Sequence, residues 1–143
     1  MSARRTFVVC EDGTEYIQRF RRFLGESFTF VPASDFAAAR AALPGAHGLL
    51  LDLDFRRTPP ERLLDEQGRT SAALDGGTRA RLAETQGILI LRRLRAEGVV
   101  VPAILFADLD DARQAEFLRR NLAPLQLASS RLGVREIGEL LRG

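Results

Sequence analysis

Lysine is absent from this sequence of 143 residues, and all 21 of its basic residues are arginine. Tryptophan is absent too, and cysteine and histidine occur once each, as Cys10 and His47. A single cysteine excludes an intrachain disulfide and a zinc site built from thiolates, and it favours a reducing compartment. Cys10 lies in an apolar run, and His47 lies in a glycine-containing loop. No neighbour in sequence suggests a catalytic role for either residue.

Long hydrophobic runs are also absent. No apolar segment approaches the length of a membrane span, and residues 1–6 do not resemble a signal peptide, so we expect a cytoplasmic protein without membrane contact. The 19 acidic residues interleave with the arginines, which occur as scattered pairs rather than as one basic patch. Nucleic-acid binding is therefore not favoured.

Short apolar segments alternate with amphipathic ones along the chain. The predicted strands are residues 6–10, 28–32, 48–52, 102–106 and 125–128. The predicted helices are residues 14–24, 35–43, 87–97, 110–121 and 134–141, with Ser34 as the N-cap of the second and Phe23 on the inner face of the first. This (βα)₅ pattern predicts one α/β domain over residues 1–143, with a parallel sheet covered by helices on both faces.

Residues 55–86 do not fit that alternation, because they are too many for an ordinary strand-to-helix loop. Thr78 is a candidate cap for a helix that begins at residue 79 and continues without interruption to residue 97. Residues 61–67 are expected to form a turn or two, and residues 68–77 to be mobile. The segment is interpreted as an insert after the third strand.

Carboxylates follow two of the predicted strands directly. Glu11 and Asp12 follow the first strand, whereas Asp52 ends the third and Asp54 comes shortly after it. The carboxyl ends of parallel strands share one edge of the sheet, so these side chains should lie close together. Such a cluster needs a cation, and Mg²⁺ prefers oxygen ligands of this kind, although Asp12 could instead cap the first helix and Asp52 could be an ordinary turn residue.

These motifs, in this order, resemble the receiver domains of two-component response regulators. The resemblance rests on Glu11-Asp12 after the first strand, on Asp52 after three leucines, on the glycine-led helix from Gly87 and on the strand at residues 102–106. It implies a flavodoxin-like sheet with strand order 2-1-3-4-5. It also implies Asp52 as phosphoryl acceptor, and Mg²⁺ held by Glu11, Asp12, Asp52 and the backbone carbonyl of Asp54.

The sequence departs from that family at the positions whose side chains contact the phosphoryl group or respond to it. Ala107 stands in place of the hydroxyl residue after the fourth strand, Gln126 in place of the switch aromatic, and Ser129 in place of the phosphate-binding lysine. Glu11, Asp12, Asp52 and Asp54 are here called the acidic corner. Arg79 or Arg81 of the insert could reach over the acidic corner and supply a cation instead. These departures favour a pseudo-receiver, which is not an enzyme and signals through protein contacts.

Two other functions remain open from the residues. One is a receiver that still accepts a phosphoryl group on Asp52 from a histidine kinase. The other, more remote, is a haloacid-dehalogenase-like phosphatase that uses Asp52 and Asp54 as its Asp-x-Asp pair. For a receiver, the partner is expected to be a histidine kinase or a downstream signalling protein, bound through residues 110–121, 125–128 and 134–141, a surface that could also pair two copies.

Overall fold

A computed structural model describes residues 4–143, and it contains one five-stranded parallel sheet. The strands are β1 (Arg5–Cys10), β2 (Phe28–Ala33), β3 (Gly48–Asp52), β4 (Ala103–Phe106) and β5 (Leu125–Ala128). Their order across the sheet is β2-β1-β3-β4-β5. The predicted flavodoxin-like α/β topology is thus confirmed, and all five strands lie within one residue of the predicted bounds at each end.

The three central strands form because their residues are apolar on both faces. Leu49, Leu50 and Leu51 of β3 are each at most 1% exposed, and successive residues alternate between the two faces of the sheet. One face of β3 carries Leu50, packed with Phe20 and Ile137. The other face carries Leu49 and Leu51, packed with buried residues of the remaining helices and of the insert.

Six α-helices cover the sheet. They are α1 (Glu15–Leu24), α2 (Phe36–Ala42), α3 (Gly76–Glu84), α4 (Gln86–Ala96), α5 (Ala112–Asn121) and α6 (Val134–Arg142). None of the helices among residues 4–143 is long and apolar enough to cross a membrane. Asp35, not Ser34, caps α2, because its carboxylate accepts a hydrogen bond from the Ala38 N–H at 2.8 Å. Phe23 is 59% exposed, so its predicted inward orientation was wrong.

The insert is packed onto the domain by its own apolar residues. Leu63 and Leu64 are at most 2% exposed, and they follow a short 3₁₀-helix at Pro60–Arg62. The buried Gln86 side chain accepts from the Leu64 N–H at 2.8 Å and donates to the Leu64 carbonyl at 3.0 Å. The amide of Gln86 therefore satisfies both backbone groups of Leu64, which no water can reach.

The predicted continuous helix over residues 79–97 was wrong. The structure has two helices, α3 and α4, separated at Thr85. Helix α3 begins earlier than predicted because the carboxylate of Asp75, not the side chain of Thr78, caps it by accepting from the Thr78 N–H at 2.7 Å. The break lets α4 begin against the end of β3.

Candidate functional site

The candidate site lies at the carboxyl ends of β1, β3, β4 and β5. Glu11, the first residue after β1, is 3% exposed, and its carboxylate is turned to the first turn of α1. It accepts from the backbone N–H groups of Tyr16 at 3.1 Å and Ile17 at 2.9 Å. Burial raises the pKa of Glu11, and these two hydrogen bonds oppose that rise. Both oxygens of Glu11 are therefore engaged in holding the start of α1 to β1.

Asp12 is held by an arginine of the insert. Its carboxylate accepts from the Arg57 guanidinium at 3.0 Å and from the Arg57 backbone N–H at 2.9 Å, and its side chain is 4% exposed. The same guanidinium donates two hydrogen bonds to Glu15, at 2.8 and 2.9 Å, and lowers the pKa of Glu15 to about 2. Arg57 thus bridges two carboxylates and ties the insert to the β1–α1 corner.

Gly13 gives Arg57 room to make this bridge. A Cβ atom at Gly13 would overlap the terminal nitrogen of the Arg57 guanidinium. Any other residue at this position would therefore displace the arginine from its place between Asp12 and Glu15.

Asp52, unlike Asp12 and Asp54, has no cationic partner among residues 4–143. One of its oxygens accepts from the Leu53 N–H at 2.9 Å, which closes a local turn at the end of β3. Burial raises the pKa of Asp52 to about 6, and the negative charges of Asp12 and Asp54 add to the effect. Asp52 consequently retains oxygen lone pairs that no described residue uses.

Asp54 pairs with its own neighbour. Its carboxylate accepts from the Arg56 backbone N–H at 2.9 Å and from the Arg56 guanidinium at 2.5 and 3.1 Å. The carbonyl oxygen of Asp54 accepts no hydrogen bond from the described residues. Only this carbonyl, and not the side chain, is available to a ligand of the corner.

The opposite wall of the site comes from the ends of β4 and β5. Ala107 is buried and offers no hydroxyl group. The next residue, Asp108, accepts hydrogen bonds from Ser129 Oγ at 2.6 Å and from Ser130 Oγ, which lower the pKa of Asp108. Ser129 and Ser130 thus fasten the β5–α6 loop to the β4–α5 loop, which the sequence did not predict, and Gln126 is exposed on the edge strand β5.

Of the four carboxylates predicted to form one cluster, Glu11, Asp12 and Asp54 are therefore committed to different partners, whereas Asp52 keeps unused oxygen lone pairs. Within residues 4–143, no group of three or more His, Cys, Asp or Glu side chains is placed to hold a metal ion. Mg²⁺ needs free oxygen ligands in near-octahedral geometry, and Arg57 occupies both oxygens of Asp12, one through its guanidinium and the other through its backbone N–H. In this arrangement the residues present do not fit Mg²⁺.

The prediction that Arg79 or Arg81 reaches the acidic corner was wrong, because Arg57, another arginine of the insert, takes that place. Arg79 donates to the backbone carbonyls of Arg56 and Thr58, each at 3.3 Å, and Arg81 pairs with Glu66. Arg79 therefore holds the loop that presents Arg57, instead of contacting the carboxylates itself. Arg57 was not predicted as a site residue, because nothing local in the sequence distinguishes the Arg56-Arg57 pair from the other arginine pairs.

Several solved structures have a fold similar to that of this chain. The receiver domain of Francisella response regulator 1452 is 14% identical, with a TM-score of 0.65 over 96% of this chain and 93% of that chain. A CheY-like receiver domain protein from Methanospirillum hungatei is 11% identical, with a TM-score of 0.63 over 98% and 92%. A two-component response regulator from Clostridium difficile is 9% identical, with a TM-score of 0.64 over 97% and 93%.

The chain has the fold of a response-regulator receiver domain. No protein-family model matches the sequence, and the search of curated proteins found no match. The receiver fold spans nearly the whole chain, and it places Asp52, Ala107 and Ser129 at the ends of neighbouring strands as the sequence predicted.

Proposed function

We propose that this receiver domain is a pseudo-receiver, a non-enzymatic module of two-component signalling that acts through protein contacts. The observation that carries the proposal is the position of Arg57, which neutralises Asp12 and Glu15 with a side chain of the domain itself. A fixed guanidinium at this place removes the need for a bound metal ion. It keeps the acidic corner in a single state that does not depend on a phosphoryl group.

The other parts of the corner support the same proposal. A receiver that responds to phosphorylation needs a hydroxyl group and a cation directed at the phosphoryl oxygens. The chain offers Ala107 and Ser129 at these places, and the hydroxyl group of Ser129 donates to Asp108. The residues at these places therefore offer a phosphoryl group on Asp52 neither a free hydroxyl group nor a cation.

The partner we propose is a histidine kinase or a downstream signalling protein. The surface proposed from the sequence corresponds to α5, β5 and α6, and β5 is an edge strand of the sheet with Gln126 exposed. An edge strand flanked by two helices is suited to contact with another protein or with a second copy of this chain.

One observation favours phosphoryl transfer as a second candidate function. The carboxylate of Asp52 is not paired with any described cation, and its pKa is raised to about 6. A carboxylate with unused oxygen lone pairs can act as the nucleophile toward a phosphoryl group. For the phosphatase mechanism there is no such support, because the carboxylate of Asp54 is paired with Arg56 and is not free to act as an acid or base.

Incubation with acetyl phosphate and Mg²⁺, followed by intact mass measurement, distinguishes the two. We expect wild type to show no more phosphoryl adduct than Asp52→Ala. A receiver that accepts phosphoryl groups from the same reagent, treated in parallel, is the positive control. A stable adduct on wild type that Asp52→Ala lacks would replace the pseudo-receiver proposal with the phosphoryl-acceptor candidate.

A further inference from the structure

Helices α4 and α5 leave an open groove between them, on the side of α5 away from α6. The groove encloses about 750 Å³. Its floor is apolar, since Ile88, Leu89, Leu118 and Leu122 are all less than 9% exposed. A cavity of this size with an apolar floor is comparable to sites that bind ligands or peptide side chains.

Phe117 stands at the mouth of this α4–α5 groove and is 62% exposed. Phe23 on α1 is exposed to a similar extent, but the guanidinium of Arg22 lies over its ring, 5.1 Å from the centroid. No such cover is found for Phe117 among the described residues. An exposed aromatic side chain beside an apolar floor is the usual anchor of a protein contact.

The far end of the groove is held rigidly by Arg95. Its guanidinium donates to three backbone carbonyls, those of Val99 at 2.8 Å, Pro124 at 2.9 Å and Leu122 at 3.0 Å. These bonds fix the end of α4 to the segment that follows α5. Because the two walls are already fixed relative to each other, a partner would lose little free energy in ordering them.

The charge around the groove is positive. Arg92 on the α4 wall is exposed and pairs with no carboxylate among residues 4–143. Among the described residues, the only acidic one that lines the groove is Glu66, and Arg81 compensates its charge. Arg95 also lines the groove and pairs only with backbone carbonyls, so the charges that a partner meets are those of Arg92 and Arg95, which favour carboxylates opposite them.

We infer that the α4–α5 groove binds an acidic amphipathic helix of a protein partner, with apolar side chains against Phe117 and Leu89 and a carboxylate on Arg92. The α4 wall from Thr85 to Ala96 is about 16 Å long, which matches three turns of a helix. A helix bound in a groove presents apolar residues at positions i, i+4 and i+7. Both walls of this groove are helices that present apolar residues to it. The inference rests on the proposed function and adds a second contact surface to it.

A second copy of this chain does not supply such a helix. Helices α1 to α5 each contain more arginines than carboxylates, and α6 contains two of each. None of the helices among residues 4–143 is therefore an acidic amphipathic helix. The occupant of the groove is therefore a different protein.

The probe for this inference is a designed, fluorescein-labelled helical peptide of about 14 residues, or about 21 Å, with leucines at i, i+4 and i+7 flanked by glutamates. A matched peptide carries lysine in place of glutamate. Fluorescence anisotropy with the full chain gives the affinity of each. We expect the acidic peptide to bind with saturation and to lose roughly tenfold in affinity with Phe117→Ala and with Arg92→Glu.

Matched variants on other faces are the controls. Phe23→Ala and Arg135→Glu should leave binding unchanged, since both residues are exposed but lie on α1 and α6. Equal binding of the two peptides, no binding at all, or loss of binding with a control variant would overturn the inference. Sedimentation of wild type alone tests the other occupant, because self-association abolished by Phe117→Ala would assign the groove to a second copy. A negative result in the peptide-binding experiment would leave the acetyl phosphate result, and with it the proposed function, unaffected.

Discussion

The guanidinium of Arg57 lies 3.0 Å from the carboxylate of Asp12, although the two residues are 45 positions apart in the sequence. This contact joins the long insert to the strand end that holds the acidic corner. The insert therefore supplies a positive charge to the corner, in addition to its apolar packing against the domain.

Gly87→Ala should destabilise the domain at the point where α4 meets β3. A Cβ atom at Gly87 would overlap the backbone carbonyl of Asp52 and lie 3.0 Å from Leu53 Cα, and backbone atoms cannot move aside cheaply. We expect the free energy of unfolding to fall by about 3 kcal/mol in urea denaturation. The control is Gly76→Ala at the start of α3, where nothing lies within 4 Å and the change should stabilise by up to about 1 kcal/mol. Equal effects at the two glycines would contradict this account.

Gln86→Ala should release the insert from the domain. The substitution leaves the buried N–H and C=O groups of Leu64 without their partner, which we expect to cost about 3 kcal/mol of unfolding free energy. Trypsin should then cleave faster after Arg69, an exposed residue of the insert. Gln18→Ala, at an exposed position on α1, is the matched control and should change neither measurement. Unaltered cleavage in Gln86→Ala would show that the insert is held by other contacts.

The fold was predictable from the sequence because its signals are local. Three consecutive leucines before Asp52 and a glycine at residue 87 identify a buried strand and a helix that must approach it closely. The positions of Asp52, Ala107 and Ser129 followed from the same reasoning. Parallel strands bring their carboxyl ends to one edge whatever the details of the loops.

The partners of the carboxylates were not predictable, because they depend on contacts between distant segments. Arg57 reaches Asp12 only because the loop of the insert folds back over β1, and no spacing in the sequence marks that path. Glu11 was assigned to the metal cluster, whereas it caps α1 from outside the helix. The hydrogen bonds between Gln86, next to the break at Thr85, and Leu64 likewise join residues that are 22 positions apart.

Asp52→Asn should stabilise the domain at neutral pH. The folded-state pKa of Asp52 is raised to about 6, so the folded chain binds more protons than the unfolded chain between roughly pH 4 and that value. Stability contributed by this group therefore falls as the pH rises through that range. Above it the asparagine variant should be more stable by about 1 to 2 kcal/mol, after allowance for the partial solvent exposure of the group.

The gain should disappear below roughly pH 4, where Asp52 is protonated in both states. Urea denaturation of wild type and variant across this pH range measures it. Asp110→Asn, at an exposed position before α5, is the control for the loss of one negative charge. If the free energy of unfolding differed between wild type and Asp52→Asn by the same amount at all pH values, the raised pKa of Asp52 would not be the cause of the difference.

The most direct test of the central claim is a titration with Mg²⁺ of wild type and Arg57→Ala, followed by the fluorescence of Tyr16. This is the only tyrosine in a chain without tryptophan. Burial raises its pKa, and the charges of Asp52 and Glu11 add to the rise, so the ring lies within the electrostatic reach of both. If Arg57 holds the place of the cation, wild type should show no saturable response. Arg57→Ala should then show one that a further Asp12→Asn substitution removes. Saturable binding of Mg²⁺ to wild type with the same affinity as to Arg57→Ala would contradict the account.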